Sequence, residues 1–562
     1  MKVSDYIAGR VHAEGVNAVF GFQGSNVTHL IDSIAKTDGM RYIQNHHEQA
    51  SAFAANAYAS ASGGIGCAIS SSGPGAINMI GGIANAWFDS VPVLFLTGQL
   101  NSKALRTDKN HRQHGFQEFD IVSTVREFTK YATTVLDASE IGFHLEKALF
   151  LAQSGRKGPV LLDLPHNIQS AMLGSEPLEQ FCFDKKESMP KIPEAAVKTV
   201  FSLLKNAKKP LILLGGGAAG LRESDILRSF EERFDIPAVA SLNGLDVLAH
   251  ESRFFFGFIG SYGNRYANLA VSECDLLLVL GSRLDMRQTG DFPGEFAANA
   301  TILRVDIDEH ELSHYIKPDI SVHGCCSDFV GALLDISEGF SASHPEWFTE
   351  LDDLKRKHPV FSKDDPKTLP NAIIHSASLF FSGNDVIAGD VGQNQMWTAQ
   401  SVCLRDSVRL LNSGGLGSMG YSLPAAIGAC FARTEAKALA VTGDGGIQMN
   451  VQELETVARE KLPVKILVMN NHSLGLIRTY QAIVFKNDIG SVEGFGSPDY
   501  ELLAKSYGIP YAEICDVKDV QAIESLLSND APLLAEVKLL PDTEVHPEPA
   551  YMKPVHIQSP LL

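Results

Sequence analysis

Ala438-Leu-Ala-Val-Thr-Gly-Asp-Gly-Gly446 and, beyond a helical segment, Pro463-Val-Lys-Ile-Leu-Val-Met-Asn-Asn471 decide the fold. The first run is apolar and ends in the glycine-flanked Asp444. Between the runs, Gln448–Lys461 carries Val451, Leu454 and Val457–Ala458 at helical spacing, which predicts a helix. The second run ends in Asn470 and Asn471. Strand, helix and strand make a βαβ unit, and a parallel crossover puts both strand ends on one side of a sheet. Ligands of open α/β sheets gather at those carboxyl ends. Asp444 and Asn471 can therefore offer hard oxygens to one ion. A carboxylate plus an amide oxygen suits Mg²⁺, which keeps positions open for phosphate oxygens. Gly443, Gly445 and Gly446 let the backbone approach a diphosphate.

The same rhythm extends outward through most of the 562 residues. Short apolar runs at Ala18–Phe20, Arg41–Gln44, Gly66–Ser70 and Val91–Leu96 alternate with helical segments such as Glu48–Ala61 and Ala76–Trp87. A second series runs through Pro210–Leu214, Asp275–Leu280 and Ile302–Asp306. A third holds Val386–Ile387, Ala438–Thr442, Val464–Met469 and Leu533–Val537. The fold class is therefore α/β, with three doubly wound parallel-sheet domains of about 180 residues each. Gln180–Pro193 and the charged, proline-bearing His344–Pro370 read as linkers. They bound domains at 1–180, 190–342 and 365–545, followed by a proline-rich, extended C-terminal tail at 546–562.

Composition excludes several classes. The net charge is −19, from 47 basic and 66 acidic residues, which disfavours nucleic acid as a partner. No run approaches the ~18 apolar residues of a membrane span. The N-terminus lacks the apolar core of a signal peptide. Eight scattered cysteines without a CxxC pair point away from zinc and towards a reducing compartment, so the expected location is cytoplasmic.

Two further turns resemble the first. Asn45-His-His-Glu-Gln-Ala-Ser-Ala-Phe-Ala-Ala55 puts Glu48 between a strand end and an alanine-rich helix. Ser71-Ser-Gly-Pro-Gly-Ala-Ile-Asn78 is another strand-to-helix turn. Taken with Gly-Asp-Gly and Asn-Asn, these segments resemble the thiamine-diphosphate enzymes. In that superfamily the Asp and final Asn bind Mg²⁺ or Mn²⁺, with a main-chain carbonyl two residues on, here Ser473. The resemblance makes Glu48 the carboxylate that works on the aminopyrimidine ring, with Gly73, Pro74 and Asn78 on the pyrimidine side.

Longer segments narrow the resemblance to the acetolactate (acetohydroxyacid) synthase family: Phe116-Gln-Glu-Phe-Asp120, Ser154-Gly-Arg-Lys-Gly-Pro-Val-Leu-Leu-Asp163, Gly392–Gln400 and Gly414–Gly428. It implies that Met419 bends the cofactor and that Gln117 faces the reacting carbon. Val391, Gly392, Gln393, Asn394, Gly417, Gly443, Gly445, Gly446, Leu474 and Gly475 would line the cofactor pocket. Gly24, Phe116, His166, Leu476 and Tyr480 would lie on the substrate side, with Arg287 holding an acceptor carboxylate. The implied reaction is carboligation: pyruvate is decarboxylated and its hydroxyethyl unit passes to a second carbonyl. The active site would form between subunits of a homodimer or homotetramer.

For the central domain, Leu211-Ile-Leu-Leu-Gly-Gly-Gly217 and Gly281-Ser-Arg-Leu-Asp-Met-Arg-Gln-Thr-Gly290 favour FAD, through Gly215, Gly216, Gly217, Gly257, Phe258, Gly281, Arg283, Arg287 and Asp306. An empty or ADP-bound domain is the alternative. The chain departs from the family at Gln23 for Pro, His166 for Lys, Leu476 for Met, Tyr480 for Trp and Phe258 for Met. These sites cluster on the acceptor side, so an altered acceptor such as another ketone or keto-sugar is expected. Two other readings stand beside this one: a thiamine-dependent decarboxylase or oxalyl-CoA decarboxylase-like lyase, and a non-catalytic nucleotide-binding scaffold.

Overall fold

The computed structural model describes the whole chain except residues 109, 175–177, 180, 183–188, 223, 363–364, 406, 486–489, 491, 493–494 and 561–562. Three six-stranded, all-parallel sheets carry it. The N-terminal sheet holds β1 (Ala18–Gly21), β2 (Arg41–Gln44), β3 (Gly66–Ser70), β4 (Val93–Gln99), β5 (Tyr131–Thr134) and β6 (Val160–Pro165), in the order β2-β1-β3-β4-β6-β5. The central sheet holds β7 (Pro210–Leu214), β8 (Ala238–Ala240), β9 (Phe255–Phe258), β10 (Leu276–Leu280), β11 (Thr301–Asp306) and β12 (Ile320–His323), ordered β12-β11-β10-β7-β8-β9. The C-terminal sheet holds β13 (Val386–Gly389), β14 (Arg409–Asn412), β15 (Ala438–Gly443), β16 (Val464–Asn470), β17 (Tyr511–Ile514) and β18 (Leu533–Lys538), ordered β14-β13-β15-β16-β18-β17.

The first and third sheets therefore share one topology, whereas the central sheet has the dinucleotide-binding order with its switch point between β7 and β10. Most strands that the sequence reading did not single out are sheet edges: β5, β9, β12, β14 and β17. They are four residues long, too short for an apolar run to stand out. The interior strands β6 and β8 escaped as well; β8 has only three residues.

The N- and C-terminal domains pack through helices Glu48–Ser62 and Ser422–Ala432. Ala50, Ala52, Ala54, Ala55 and Ala57 of the first are all buried. A Cβ on Gly428 would stand 2.0 Å from the Ala54 carbonyl oxygen, so only glycine permits this approach. That explains a helix so rich in small residues on every face.

Three expectations change. The helix predicted over Gln448–Lys461 is two helices, Asp444–Gln448 and Glu453–Glu460. The break falls where Asn450 turns away to donate its amide to the Gly420 carbonyl at 2.8 Å. His344–Pro370 is not a bare linker: Pro345–Lys357 is a helix, seated on the central core by buried Trp347 and Leu351. The indole of Trp347 also donates to the Pro210 carbonyl, 3.0 Å away. The C-terminal residues do not run as a loose tail. β19 (Glu548–Pro549) and β20 (Gln558–Ser559) pair antiparallel. Gln558 donates to the Gly263 carbonyl, and Arg265 to that of Pro560, which fastens this segment to the central domain. The expected linker Gln180–Pro193 lies largely outside the described residues. Among the described residues no helix is long and apolar enough to cross a membrane.

Candidate active site

The carboxyl end of the N-terminal sheet carries the first half of the site. β2 ends at Gln44 and the helix opens at Glu48, with His47 as N-cap; its Nδ1 accepts the Gln49 N–H at 3.1 Å. Glu48 is buried, and its Oε2 accepts a 3.0 Å hydrogen bond from Asn78 Nδ2. A Cβ on Gly75 would stand 3.0 Å from Glu48 Oε1, so the Gly73–Pro74–Gly75 turn lies against the carboxylate. Gln117 joins this half: its own Cβ and carbonyl oxygen lie 3.1 and 2.7 Å from the place of a Cβ on Gly73. Gln117 has φ = 66°, unusual for a non-glycine and a sign of an over-determined loop. Gly24 presses on Ser71, whose Cβ would be 2.5 Å from a Cβ there. Phe116 is 83% exposed, and His166 is half-buried at the start of the helix His166–Gln169.

The carboxyl end of the C-terminal sheet carries the second half. Asp444 and Asn471 are both buried. Burial lifts the Asp444 carboxyl above its ordinary range, only partly offset by hydrogen bonds from Ser497 Oγ (3.1 Å) and the Gly445 N–H (3.0 Å). A cation bound beside it would favour its charged form. Asn471 donates to Gln393 Oε1 at 2.8 Å, and no described protein donor reaches its Oδ1. Ser473 Oγ is buried without a partner. Among the described residues no three His, Cys, Asp or Glu side chains could hold a metal by themselves. The donor set thus fits an ion completed by an amide oxygen, a main-chain carbonyl and phosphate oxygens.

The remaining cofactor-side residues converge here. A Cβ on Gly445 would lie 2.8 Å from Leu474 Cδ2 and 3.3 Å from Met419 Cε. Cβ atoms on Gly392 and Gly443 would both meet Asn394 Oδ1, at 2.7 and 3.0 Å, and one on Gly475 would collide with Gln393 Oε1. Gly446 approaches Thr442 and Asp390. The glycines pack closely on these side chains and leave the backbone open, as a diphosphate site would need. Val391 donates its N–H to Asp390 Oδ1 (2.8 Å), and Gly417 takes φ = 74°. On the helix Gly475–Val484, Leu476 is half-buried whereas Tyr480 is 60% exposed.

Sequence reasoning missed Asp390. It is buried, and it accepts from the N–H groups of Gly420 (2.8 Å) and Ser422 (3.2 Å) and from Ser422 Oγ (3.0 Å). It thereby ties down the loop that carries Met419. Its signal was present, because Asp390 ends a strand after glycine just as Asp444 does. Ser497, which bridges Asp444 and Asn470, had no signal at all.

A cavity of about 440 Å³ opens at the central sheet's switch point. Gly216, Gly217, Phe258, Gly281, Arg283, Arg287 and Asp306 line it, together with Asp89, Arg156 and Gly414 from the other domains. The turns after β7 and β10 interlock: a Cβ on Gly215 would be 2.2 Å from the Gly281 carbonyl oxygen. Gly215 and Gly257 stand behind the lining, the latter against Asn264 and Tyr266. The Arg287 guanidinium approaches Met396 Sδ at 3.8 Å, on the helix that begins at Gln393. Asp89 anchors Gly415 and Asn243, and burial pushes its carboxyl up to about 6.

Among the described residues no hydrogen bond joins Glu48 itself to Asp444 or Asn471; Glu48 bonds Asn78, Asp444 bonds Ser497 and Asn471 bonds Gln393. Comparison with known proteins gives this arrangement its class. Residues 1–124 match the N-terminal TPP binding domain of thiamine pyrophosphate enzymes, 197–333 their central domain and 390–537 their C-terminal TPP binding domain. The chain is a thiamine-diphosphate enzyme. It is 35% identical to acetolactate synthase 1, chloroplastic, of Nicotiana tabacum, over 95% of this chain and 81% of that protein. It is 33% identical to the acetolactate synthase isozyme 2 large subunit of Escherichia coli K12, over 96% of both. It is 32% identical to the acetolactate synthase large subunit of Lactococcus lactis, over 95% of this chain and 92% of the other. The chain belongs to the acetolactate synthase family, and it is a thiamine-dependent enzyme that forms carbon–carbon bonds. The decarboxylase and scaffold readings are not favoured.

Proposed function

We propose that this enzyme decarboxylates pyruvate and transfers the two-carbon acetyl-equivalent unit to a second carbonyl compound that differs from the usual 2-keto acids. Bound thiamine diphosphate supplies a carbon nucleophile and electron sink. Asp444, Asn471 and the Ser473 carbonyl hold the divalent cation against the diphosphate. Glu48, oriented by Asn78, acts on the pyrimidine ring. Met419 would support the cofactor, Gln117 would face the reacting carbonyl, and Arg287 would hold an acceptor anion. The central cavity would take FAD, with the glycine turns after β7 and β10 offering backbone N–H groups to its phosphates.

The observation that supports this reading is a pair of buried strand-end turns, one with Glu48 bonded to Asn78 and the other with Asp444 and Asn471. As the family resemblance implies, the two turns would meet across a subunit interface, making a homodimer the smallest active assembly, with a homotetramer as its natural extension. The altered acceptor is supported by Tyr480, which is largely open, and by the neighbouring departures at Leu476 and His166. The test is product analysis with pyruvate alone, then with 2-ketobutyrate, then with ketones and keto-sugars. A strong preference for 2-ketobutyrate sinks the altered-acceptor reading. A flavin absorbance band on the purified protein tests the FAD assignment.

A further inference from the structure

The turn that aims Glu48 is held from another domain. Glu453, the first residue of the helix Glu453–Glu460, is 0% exposed. Its Oε2 accepts from Asn45 Nδ2 at 2.9 Å and Thr456 Oγ1 at 2.8 Å, and its Oε1 accepts from the His46 N–H at 2.8 Å. Asn45 is itself fully buried and its Oδ1 has no partner, so Glu453 alone orients that side chain. Further contacts brace the same turn. His46 Nε2 meets Glu455 Oε2 at 2.6 Å, and Arg459 donates to both Glu455 and the Gln44 carbonyl. Arg41, at the start of β2, pairs with Glu460 at 2.5 Å.

We propose that Glu453 is a positioning residue for activation of the cofactor, fixing the Asn45–His47 turn so that Glu48 leaves it in one direction. The proposal rests on the reading that Glu48 serves a thiamine site. The His46 N–H lies before the helix and has no helical acceptor, so without Glu453 it would lose its only protein partner. The turn would then relax towards other acceptors and carry Glu48 with it. A displacement of about 1 Å at a catalytic group can cost about 100-fold in rate. Glu453 touches neither substrate nor cofactor in this scheme and acts only through Glu48.

The test uses the full-length protein with Mg²⁺ and thiamine diphosphate, as wild type, E48Q, E453A, E453Q and N45A. Three quantities are measured: exchange of the cofactor C2 proton with deuterated water, cofactor affinity, and amide exchange of the segment 41–50 in the cofactor-free protein. E453A should slow C2 exchange by about 10- to 100-fold. Its cofactor affinity should stay within about threefold of wild type, separating activation from binding. Amide exchange at His46 should accelerate. E453Q should fall between wild type and E453A, because its remaining carbonyl still accepts from His46. N45A, which keeps the bond to His46, should slow C2 exchange by only a few-fold. Wild-type C2 exchange in E453A, or a loss that merely tracks cofactor affinity, overturns the proposal. If E453A does not fold, wild-type exchange in both E453Q and N45A overturns it equally. If E48Q exchanges like wild type, it is instead the catalytic assignment of Glu48 that fails.

Discussion

The N- and C-terminal domains share a strand order and an interface, yet they carry different chemistry. A pair of buried acids shows why. Asp163 is the fourth residue of β6 and Glu536 the fourth of β18, strands in the same place in their sheets. Asp163 pairs in register with Thr97 of β4, and Glu536 with Val468 of β16, the corresponding strands. Asp163 accepts from Thr97, Gln99 and Thr134, all uncharged, and burial pushes its carboxyl up to about 7. Burial pushes Glu536 upward too, but hydrogen bonds from Lys538, Asn470 and Tyr511 outweigh it and hold that carboxyl below its ordinary range. Topology fixes where an acid sits; its neighbours decide its charge. The same holds at the sheet ends. The turn after β3 is Gly-Pro-Gly and lies against Glu48, while the corresponding turn after β15 is Asp-Gly-Gly, where a cation is proposed to bind.

If the two domains divide the labour in this way, the largest effect should come from E48Q. It should lower kcat by about 1,000-fold while leaving Mg²⁺-dependent cofactor binding intact, as steady-state kinetics and calorimetry would show. D444A should do the converse. Its cofactor affinity should fall by at least about 100-fold, the upper end of what outer-shell losses alone cost a metal site. A common phenotype for the two variants would erase the proposed division. Next comes the interface between the domains: G428A should destabilise the protein by about 1–3 kcal/mol in denaturant unfolding, because the new methyl group meets the Ala54 carbonyl. An unchanged midpoint would mean that the helix pair is looser than drawn.

The smallest effects separate the two acids by pH. Asp163 has a raised folded value, so its contribution to stability is fully present below the ordinary carboxyl range and is lost as pH rises through about 7. D163N should flatten that fall, whose slope is at most about 1.4 kcal/mol per pH unit. Glu536 has a lowered folded value, so its contribution is present above the ordinary range and disappears as pH falls through the folded value. E536Q should therefore remove stability at neutral pH and little in acid. Melting curves of both variants across this range would sharpen the contrast, and parallel curves would break it.

Much of the site was legible because strand-end turns are short-range. Asp444, Asn471, Glu48 and the glycines around them are fixed by residues within a few positions of each other, and the structure places each at a sheet end. Asp390 was equally local and simply not singled out. Ser497 and Glu453 could not be read, because their roles come from contacts across the fold: Ser497 reaches back to Asp444, and Glu453 reaches from the third domain into the first. Edge strands such as β14 and β17 were faint for a related reason. They owe their conformation to one neighbouring strand more than to their own four residues.

By itself, the sequence determined three parallel α/β units, a glycine-flanked Asp444 turn and a turn bearing Glu48. Hydrophobic period and glycine placement act locally, and both survive in any packing. Only the tertiary structure decided that Gly428 must meet Ala54, that the glycine turns of the central sheet interlock, and that Glu453 of the third domain holds the turn before Glu48. Those outcomes depend on which surfaces bury one another, and no local pattern encodes that.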